Sequence, residues 1–314
     1  MTDAILHLYL SLDVEGFASV VTPEQAYPTR ADSAVLHRTA MHGVSLYTAK
    51  LCCLLQAHAL KLGWQGVRFT INDAHASMAN HTPYDESLWQ GLNLHWILGK
   101  PKRFGMMAGL DALIQQGHTP HGVLLLGHHA QAMTATGNLA HSFTNMIRRM
   151  ELNGQAVGEA ELNTLLAEQG FGIPVLGVLG DSVLQQQLGE WCNTLPVVAT
   201  KTPLGWASAL LRPWQAVEAE ILEQWPLPTP DTPCSQPHTD NLVSFCPNEP
   251  WELVLAFQEL VQAEVVSLWP CATALTDTRV RFKLIGKTRQ ERMQHTYLTL
   301  QAAYTTALAS KLIV

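Results

Sequence analysis

The chain has 314 residues, 47% of them hydrophobic and 14% charged, which allows one large core or two lobes and excludes a disordered chain. The formal net charge of −7 is spread without a long run of either sign, and the absence of a basic patch argues against nucleic acid as a partner. The short basic clusters at 100–103 and at Arg148 and Arg149 read as solvated loop charges.

Taken in chain order, the apolar run Ile5 to Leu12 predicts a first strand. Ser45 to Leu62 has leucines at 46, 51, 54, 55 and 62 and stops before Gly63, which predicts a helix. Val67 to Ile71 is a second strand, Ala108 to Gln116 a helix, and Val123 to Leu126 a third strand. The second and third strands are nearly continuous in apolar residues, as in a sheet covered on both faces. Asn153-Gly154 within Arg149 to Val157 marks a two-residue hairpin turn. Glu159 to Gln169, closed by Gly170, is a helix, and Ile173 to Leu179 a fourth strand. Pro226-Leu-Pro-Thr-Pro-Asp-Thr-Pro233 fits neither a helix nor a sheet interior. Beyond it we expect a strand near Leu242 to Phe245, a helix from Trp251 to Ala263, a strand at Arg279 to Leu284, and a last helix from Arg289 to Leu308. Strands alternating with helices at these lengths predict an α/β fold. It is a mainly parallel sheet with helices on both faces, plus a smaller C-terminal α/β lobe. The expected division is a catalytic domain over 1–200 and a lobe over 201–314, with the proline-rich loop near 226–237.

Six cysteines lie at 52, 53, 192, 234, 246 and 271. None has the spacing of a zinc knuckle or a disulfide framework. Reduced thiols in a cytoplasmic protein are expected, with one of the adjacent Cys52 and Cys53 facing the core. The opening residues lack a basic segment followed by a long apolar run, so no secretory leader is expected. No stretch approaches the ~18 apolar residues of a membrane span.

The chemistry is signalled at the carboxyl ends of the strands. The first runs into Asp13-Val-Glu15, the second into Asn72-Asp-Ala-His75, the third into Gly127-His-His129, the fourth into Gly180-Asp181. In open α/β sheets that edge is where ligands bind. Twelve of the 14 histidines precede residue 142, which places the chemistry in the first half. Asp13 and Glu15, two apart in extended backbone, point the same way, and two such carboxylates repel unless a cation intervenes. With His75 and His129 they form a carboxylate–imidazole set without thiolate, which suits zinc, manganese or iron. His128 and His129 cannot both face one point, so one is structural. His141, after the loop Ala135-Thr-Gly-Asn138, is a candidate for acid–base work or for stabilising charge. Each residue also has a plainer use. The two acids could cap a loop, His75 could bond a turn, and His141 with Ser142 could be a cap pair. Glu159, with Glu161 as its competitor, could simply favour a helix start.

Ser11-Leu-Asp-Val-Glu-Gly16, Asn72-Asp-Ala-His-Ala-Ser-Met-Ala-Asn80, Leu126-Gly-His-His-Ala130, His141-Ser142 and Val157-Gly-Glu-Ala-Glu-Leu-Asn163, in this order, resemble the zinc-dependent D-aminopeptidase family of the dipeptide-permease operon type. Ile173-Pro-Val-Leu176 with Gly180-Asp181 also fits, and the likeness continues weakly to Val280-Arg-Phe282 and the last helix. The resemblance implies two zinc ions per chain, with Asp13 bridging them and Glu15, His75, His129 and Glu159 completing the ligands. It gives His141 a catalytic role, read here as proton transfer or oxyanion stabilisation beside a hydroxide already activated by metal. It implies hydrolysis of the N-terminal residue of short peptides, D-amino-acid peptides in particular, by a homo-oligomer. Asn72 or Asp73 is expected to orient a ligand imidazole, and Asp181 and Lys201 also sit at family-like positions. The chain departs from the pattern at Leu46 to Cys53, in the length of the loop from His129 to His141, and at Trp206, where arginine is expected. The rival readings are another metal-dependent amide hydrolase on the same site and a non-catalytic α/β binding protein. A Rossmann nucleotide site is disfavoured, because acids rather than a glycine-rich phosphate turn follow the first strand.

Overall fold

The computed structural model describes residues 4–28, 33–81, 85–232, 238–241 and 251–310. In chain order the elements are β1 (Ile5–Leu12), α1 (Pro23–Ala26), α2 (Ala34–Lys61), β2 (Gly66–Asp73), α3 (Glu86–Trp89), β3 (Asn93–Ile97), α4 (Leu110–Gln115) and β4 (Gly122–Leu126). Next come β5 (Ile147–Leu152), β6 (Gln155–Ala156), α5 (Glu159–Leu165), β7 (Val175–Gly180), α6 (Ser182–Trp191), β8 (Val197–Ala199), β9 (Lys201–Gly205), β10 (Ser208–Leu211) and α7 (Trp214–Gln224). The last are β11 (Trp251–Phe257), α8 (Leu260–Ser267), β12 (Ala272–Thr276), β13 (Arg279–Leu284) and α9 (Arg289–Ala309).

Six parallel strands form the main sheet in the order β3-β2-β1-β4-β7-β8. The chain builds outward from β1 through β2 to β3, then returns to the other side of β1 for β4. The direction of winding therefore reverses between β1 and β4, and the carboxyl edge at such a switch point is where open α/β sheets bind ligands. Strand alternation sends Leu6, Leu8, Leu10 and Leu12 of β1 into a core shared with α2 and α7. Tyr9 of β1, with Val123 and Leu125 of β4, joins the opposite core beneath α4, α5 and α9. That second face is partly polar, and its polar groups are bonded: the Tyr9 hydroxyl donates to Ala108 O and the Ser11 hydroxyl to Met106 O, both at 2.7 Å. A second, antiparallel sheet, β12-β13-β11-β5-β6, is joined to the rest through α9 and the same core.

Several expected elements are present: β1 and β13 match in full, and Asn153 and Gly154 turn the β5–β6 hairpin with φ of 52° and 81°. Three expectations need correction. The helix expected from Ser45 begins at Ala34. The helix from Glu159 gives way at Leu166 to a single π-turn ending at Gly170. Trp251 to Phe257 is a strand, not helix, and the helix starts only at Leu260. Its residues Glu, Leu and Ala favour helix locally, but Trp251, Leu253, Leu255 and Phe257 alternate into the core between β5 and β13, and that pairing overrides propensity. The strand expected near Leu242 lies outside the described residues. Cys52 is buried and Cys53 exposed, and neither they nor Cys192 and Cys271 form a disulfide. Among the described residues no helix is long and apolar enough to cross a membrane.

His81 shows how burial couples this fold to pH. Its Nδ1 bonds Ser45 Oγ at 2.9 Å and its ring lies beside Trp96. Burial lowers its pKa to about 4, against a partial opposing pull from Asp73. The unfolded chain takes up this proton near pH 6.5, so stability present above that pH is lost as the pH falls from 6.5 to 4. A His81→Gln variant is expected to lose less stability than the parent between pH 7 and pH 5 in urea titrations. Identical losses would assign the pH dependence elsewhere.

Candidate metal centre

Three loops at the carboxyl edge of the main sheet and the start of α5 bring the candidate residues together. Asp13 and Glu15 lie in the loop after β1, His75 after β2, His129 after β4, His141 in the long connection to β5, and Glu159 is the first residue of α5. Asp13, Glu15, His75, His129 and Glu159 are all buried. His75 Nδ1 lies 3.1 Å from Asp13 Oδ1 and 3.2 Å from Glu15 Oε2. His129 Nε2 lies 3.7 Å from Asp13 Oδ2 and 3.5 Å from Glu159 Oε1. His141 Nε2 is 3.8 Å from the same Glu159 oxygen, and its ring stacks on that of His129 at 4.1 Å. Glu161, the competitor, is turned away: its carboxylate accepts the Gly158 N–H and the Gln187 amide.

Backbone carbonyls settle which ring nitrogen faces the cluster. His75 Nε2 bonds Ala26 O at 3.0 Å, His129 Nδ1 bonds Ala130 O at 3.0 Å, and His141 Nδ1 bonds Leu139 O at 2.9 Å. A carbonyl accepts only N–H, so each ring turns its other nitrogen toward the carboxylates; at His75 that Nδ1 bonds Asp13 Oδ1 and so carries a proton here, the one a metal ion would displace. This is how ligand imidazoles are held in metal sites. The orienting groups are thus carbonyls, not Asn72 or Asp73 as expected from sequence. Asp73 instead accepts the backbone N–H groups of His75 and Asn80, while the Asn72 amide donates to Met106 O.

Two further observations ask for a cation. His129 Nε2 is buried with no hydrogen-bond partner, and Glu15 Oε2 meets only the His75 ring at 3.2 Å, a state that costs stability unless a ligand satisfies them. The three carboxylates also cannot all ionise as they stand. Burial, with Glu15 nearby, holds Asp13 well above the usual carboxylate range. Burial moves Glu159 up to about 8, against the Phe143 N–H that favours its charge. Burial opposes charge at Glu15 and His75 too, yet their mutual attraction wins, holding Glu15 low and His75 high. A protonated imidazole there does the work of a metal ion. The groups Asp13–Glu15–His75, Asp13–His128–Glu159 and Glu15–His129–His141 each bring donor atoms within 4.8 Å of one another. These nitrogen and oxygen donors, without thiolate, fit zinc.

A family model for D-aminopeptidases matches residues 6–297. The chain belongs to the D-aminopeptidase family. Membership makes it a metallo-aminopeptidase, a hydrolase of peptide bonds. It is 28% identical over 273 residues to a D-aminopeptidase of Bacillus subtilis (strain 168), covering 87% of this chain and 89% of that protein. Its fold is shared with the Zn-dependent D-aminopeptidase DppA from Bacillus subtilis, a self-compartmentalizing protease, at a TM-score of 0.73 and 23% identity over 96% of this chain and 98% of the other.

In this D-aminopeptidase-family enzyme the loop carrying Asp13 and Glu15 is tied down from several sides. The Lys201 ammonium, fully buried, donates to Glu15 O at 2.6 Å and to Val20 O, and Thr200 Oγ1 donates to Gly16 O at 2.6 Å. Burial lowers the pKa of Lys201 to about 8, with Asp181 and Glu15 opposing. Asp181 also caps α6 through the Val183 and Leu184 N–H groups. Tyr27 was not singled out from sequence. Its hydroxyl donates to Glu15 Oε1 at 2.9 Å and lies 3.5 Å from His141 Nε2. Nothing in Ala26-Tyr27 marks it, because its role depends on α1 folding back over the site. His128, beside His129, is fully buried, and its ring nitrogens find no hydrogen-bond partner among the described residues.

The glycines in two motifs have a steric explanation. The Gly16 N–H donates to Gly127 O at 2.6 Å, and a Cβ on Gly16 would sit 2.0 Å from His128 O. A Cβ on Gly127, whose φ is +72°, would sit 2.2 Å from Asp13 O. Only glycine lets the two ligand-bearing loops touch. Gly16→Ala is expected to lower unfolding stability by about 1–3 kcal/mol and to weaken zinc retention in dialysis, since the loops must part.

Proposed function

We propose that this enzyme removes the N-terminal residue of short peptides, D-amino-acid peptides in particular, at a pair of zinc ions. The observation that carries this reading is the placement of Asp13. Its Oδ1 faces His75 and its Oδ2 faces His129, so one carboxylate can serve two ions. Asp13, Glu15 and His75 would hold one ion, and Asp13, His129 and Glu159 the other. Zinc is favoured by the donor set and by the description of the Bacillus subtilis structure as Zn-dependent. When bound, the ions polarise the scissile carbonyl and make a water nucleophilic near neutral pH.

The chain's own side chains do the rest. A cavity of about 440 Å³ opens on the cluster, with Asp13, His75, His141 and Glu159 lining one part of it and Met106, Phe143, Trp206, Tyr297 and Tyr304 forming apolar and aromatic walls. That size suits a small ligand. The metal-holding end of the cavity would anchor a free N-terminal amine in its neutral form. His141 Nε2 faces the cavity with its ring held by Leu139 O, placed to take a proton from the attacking water and give it to the leaving amine. The Tyr27 hydroxyl holds Glu15 and limits how far the His141 ring can turn. The apolar walls lower the local polarity, which strengthens these interactions.

A homo-oligomeric assembly in the cytoplasm completes the proposal. Leu204, Trp206, Leu210 and Leu211 on the β9–β10 hairpin are half or more exposed, an apolar patch suited to contact between copies. The described cysteines are free thiols, as in a reducing compartment.

Elemental analysis of the purified protein, followed by turnover of paired D- and L-alanyl peptides, tests the function. About two zinc ions per chain and faster cleavage of the D-peptides are expected. A protein that takes up no metal from added zinc would overturn the dinuclear reading, and equal or faster cleavage of L-peptides would overturn the stereochemical one.

A further inference from the structure

The substrate cavity is electrically lopsided. Asp13 and Glu159 lie at the metal-binding end, the walls are apolar and aromatic, and Lys100 is the only lysine or arginine lining it among the described residues. Lys100 stands on the loop after β3, at the same sheet edge as His75. The loop is fastened on both sides of it. The Gly99 N–H donates to Met78 O in the His75 loop. The Lys102 ammonium bonds Asn72 Oδ1, Asp73 O and Ile97 O at 2.8, 2.7 and 2.9 Å.

The two lysines differ in what they do. Lys102 is buried and its three bonds account for it. Lys100 is exposed at the cavity, and its ammonium meets no hydrogen-bond or ion-pair partner among the described residues. Partial burial lowers its pKa, with the Asp73 charge opposing. A cation on a fixed loop, lining a cavity whose metal-holding end would take a free amine, complements a ligand with an amine at one end and a negative charge at the other. A short peptide with free termini is such a ligand.

We propose that Lys100 binds the C-terminal carboxylate of the substrate, so that the cavity selects very short peptides with a free carboxylate over amides and longer chains. The proposal rests on the aminopeptidase reading above, which supplies the orientation: amine toward Asp13 and Glu159, carboxylate toward Lys100. Lengthening or amidating the peptide removes the negative charge from the position Lys100 can reach. A charge-assisted hydrogen bond of this kind changes affinity by about tenfold or more.

The probe is a D-alanyl-D-alanine analogue whose scissile carbonyl is replaced by methylene, so that it is not cleaved, prepared as the free acid and as the C-terminal amide. Calorimetric titration into the zinc-loaded enzyme is expected to show the acid binding about tenfold or more tighter than the amide. That preference should collapse to about one in Lys100→Met and persist in Lys100→Arg, with zinc content equal in all three. Wild-type enzyme that binds acid and amide alike, or Lys100→Met enzyme that keeps the preference, overturns the proposal. Hydrolysis of D-alanine p-nitroanilide, which has no carboxylate, separately tests the aminopeptidase reading, so failure of one is not mistaken for failure of the other.

Discussion

Asp13→Ala is expected to release both metal ions and to lower kcat/KM by a factor on the order of 10³ or more. Of the three clustered carboxylates, Asp13 alone has its two oxygens facing two different imidazoles, at 3.1 Å and 3.7 Å. Its loss would leave each ion with two protein ligands from the proposed sets, too few for a stable zinc site. The Lewis acidity lost with the ions is several kcal/mol of barrier lowering, and each ~1.4 kcal/mol is a factor of ten in rate. The fold itself should survive, because the substitution also removes a buried carboxylate whose ionisation is opposed by burial and by Glu15. Elemental analysis together with circular dichroism checks this. A folded variant that retains two zinc ions would show that Asp13 does not bridge.

His141→Gln separates catalysis from metal binding. The His141 side chain is 12% exposed and lines the cavity, whereas Asp13, His75, His129 and Glu159 are more deeply buried. Its Nε2 is 3.8 Å from Glu159 Oε1, farther than any contact His75 or His129 makes with the carboxylates. The expected result is a fall in kcat of about 10² to 10⁴-fold, the usual worth of a positioned acid–base group, with zinc content unchanged. Loss of one zinc ion with the same fall in rate would instead make His141 a ligand, which its grouping with Glu15 and His129 also allows.

The candidate cluster was legible in sequence because its residues sit where strand physics puts them. Asp13, Glu15, His75 and His129 each come directly after an apolar run, and a parallel sheet gathers the carboxyl ends of its strands on one edge. Glu159 and His141 were harder to read. A glutamate at a helix start and a histidine beside serine have ordinary local uses, and these two stood out only through the order of motifs shared with a family. Tyr27 and Ala26 carried no signal at all. Their contacts with Glu15 and His75 are made across 12 and 49 residues of chain, and only the folding of α1 onto the sheet edge makes them.

The two faces of the main sheet divide the same way. Leucines alternating along β1 announce one buried face from sequence alone. The polar face, with Tyr9 and Ser11 bonded to the backbone at 106–108, could not be foreseen, since its partners lie about 95 residues away. The segment Trp251–Phe257 went wrong for a related reason: its composition favours helix, and only neighbours on both sides make it a strand. Local sequence thus determined the parallel α/β class and most of the candidate metal-ligand set, because side-chain period and strand ends are properties of a single segment. Tertiary structure alone decided which imidazole nitrogen faces the carboxylates, why Gly16 and Gly127 must be glycine, and how Lys100 comes to line the same cavity as Asp13 and Glu159. Each of these depends on distances between loops remote in the chain.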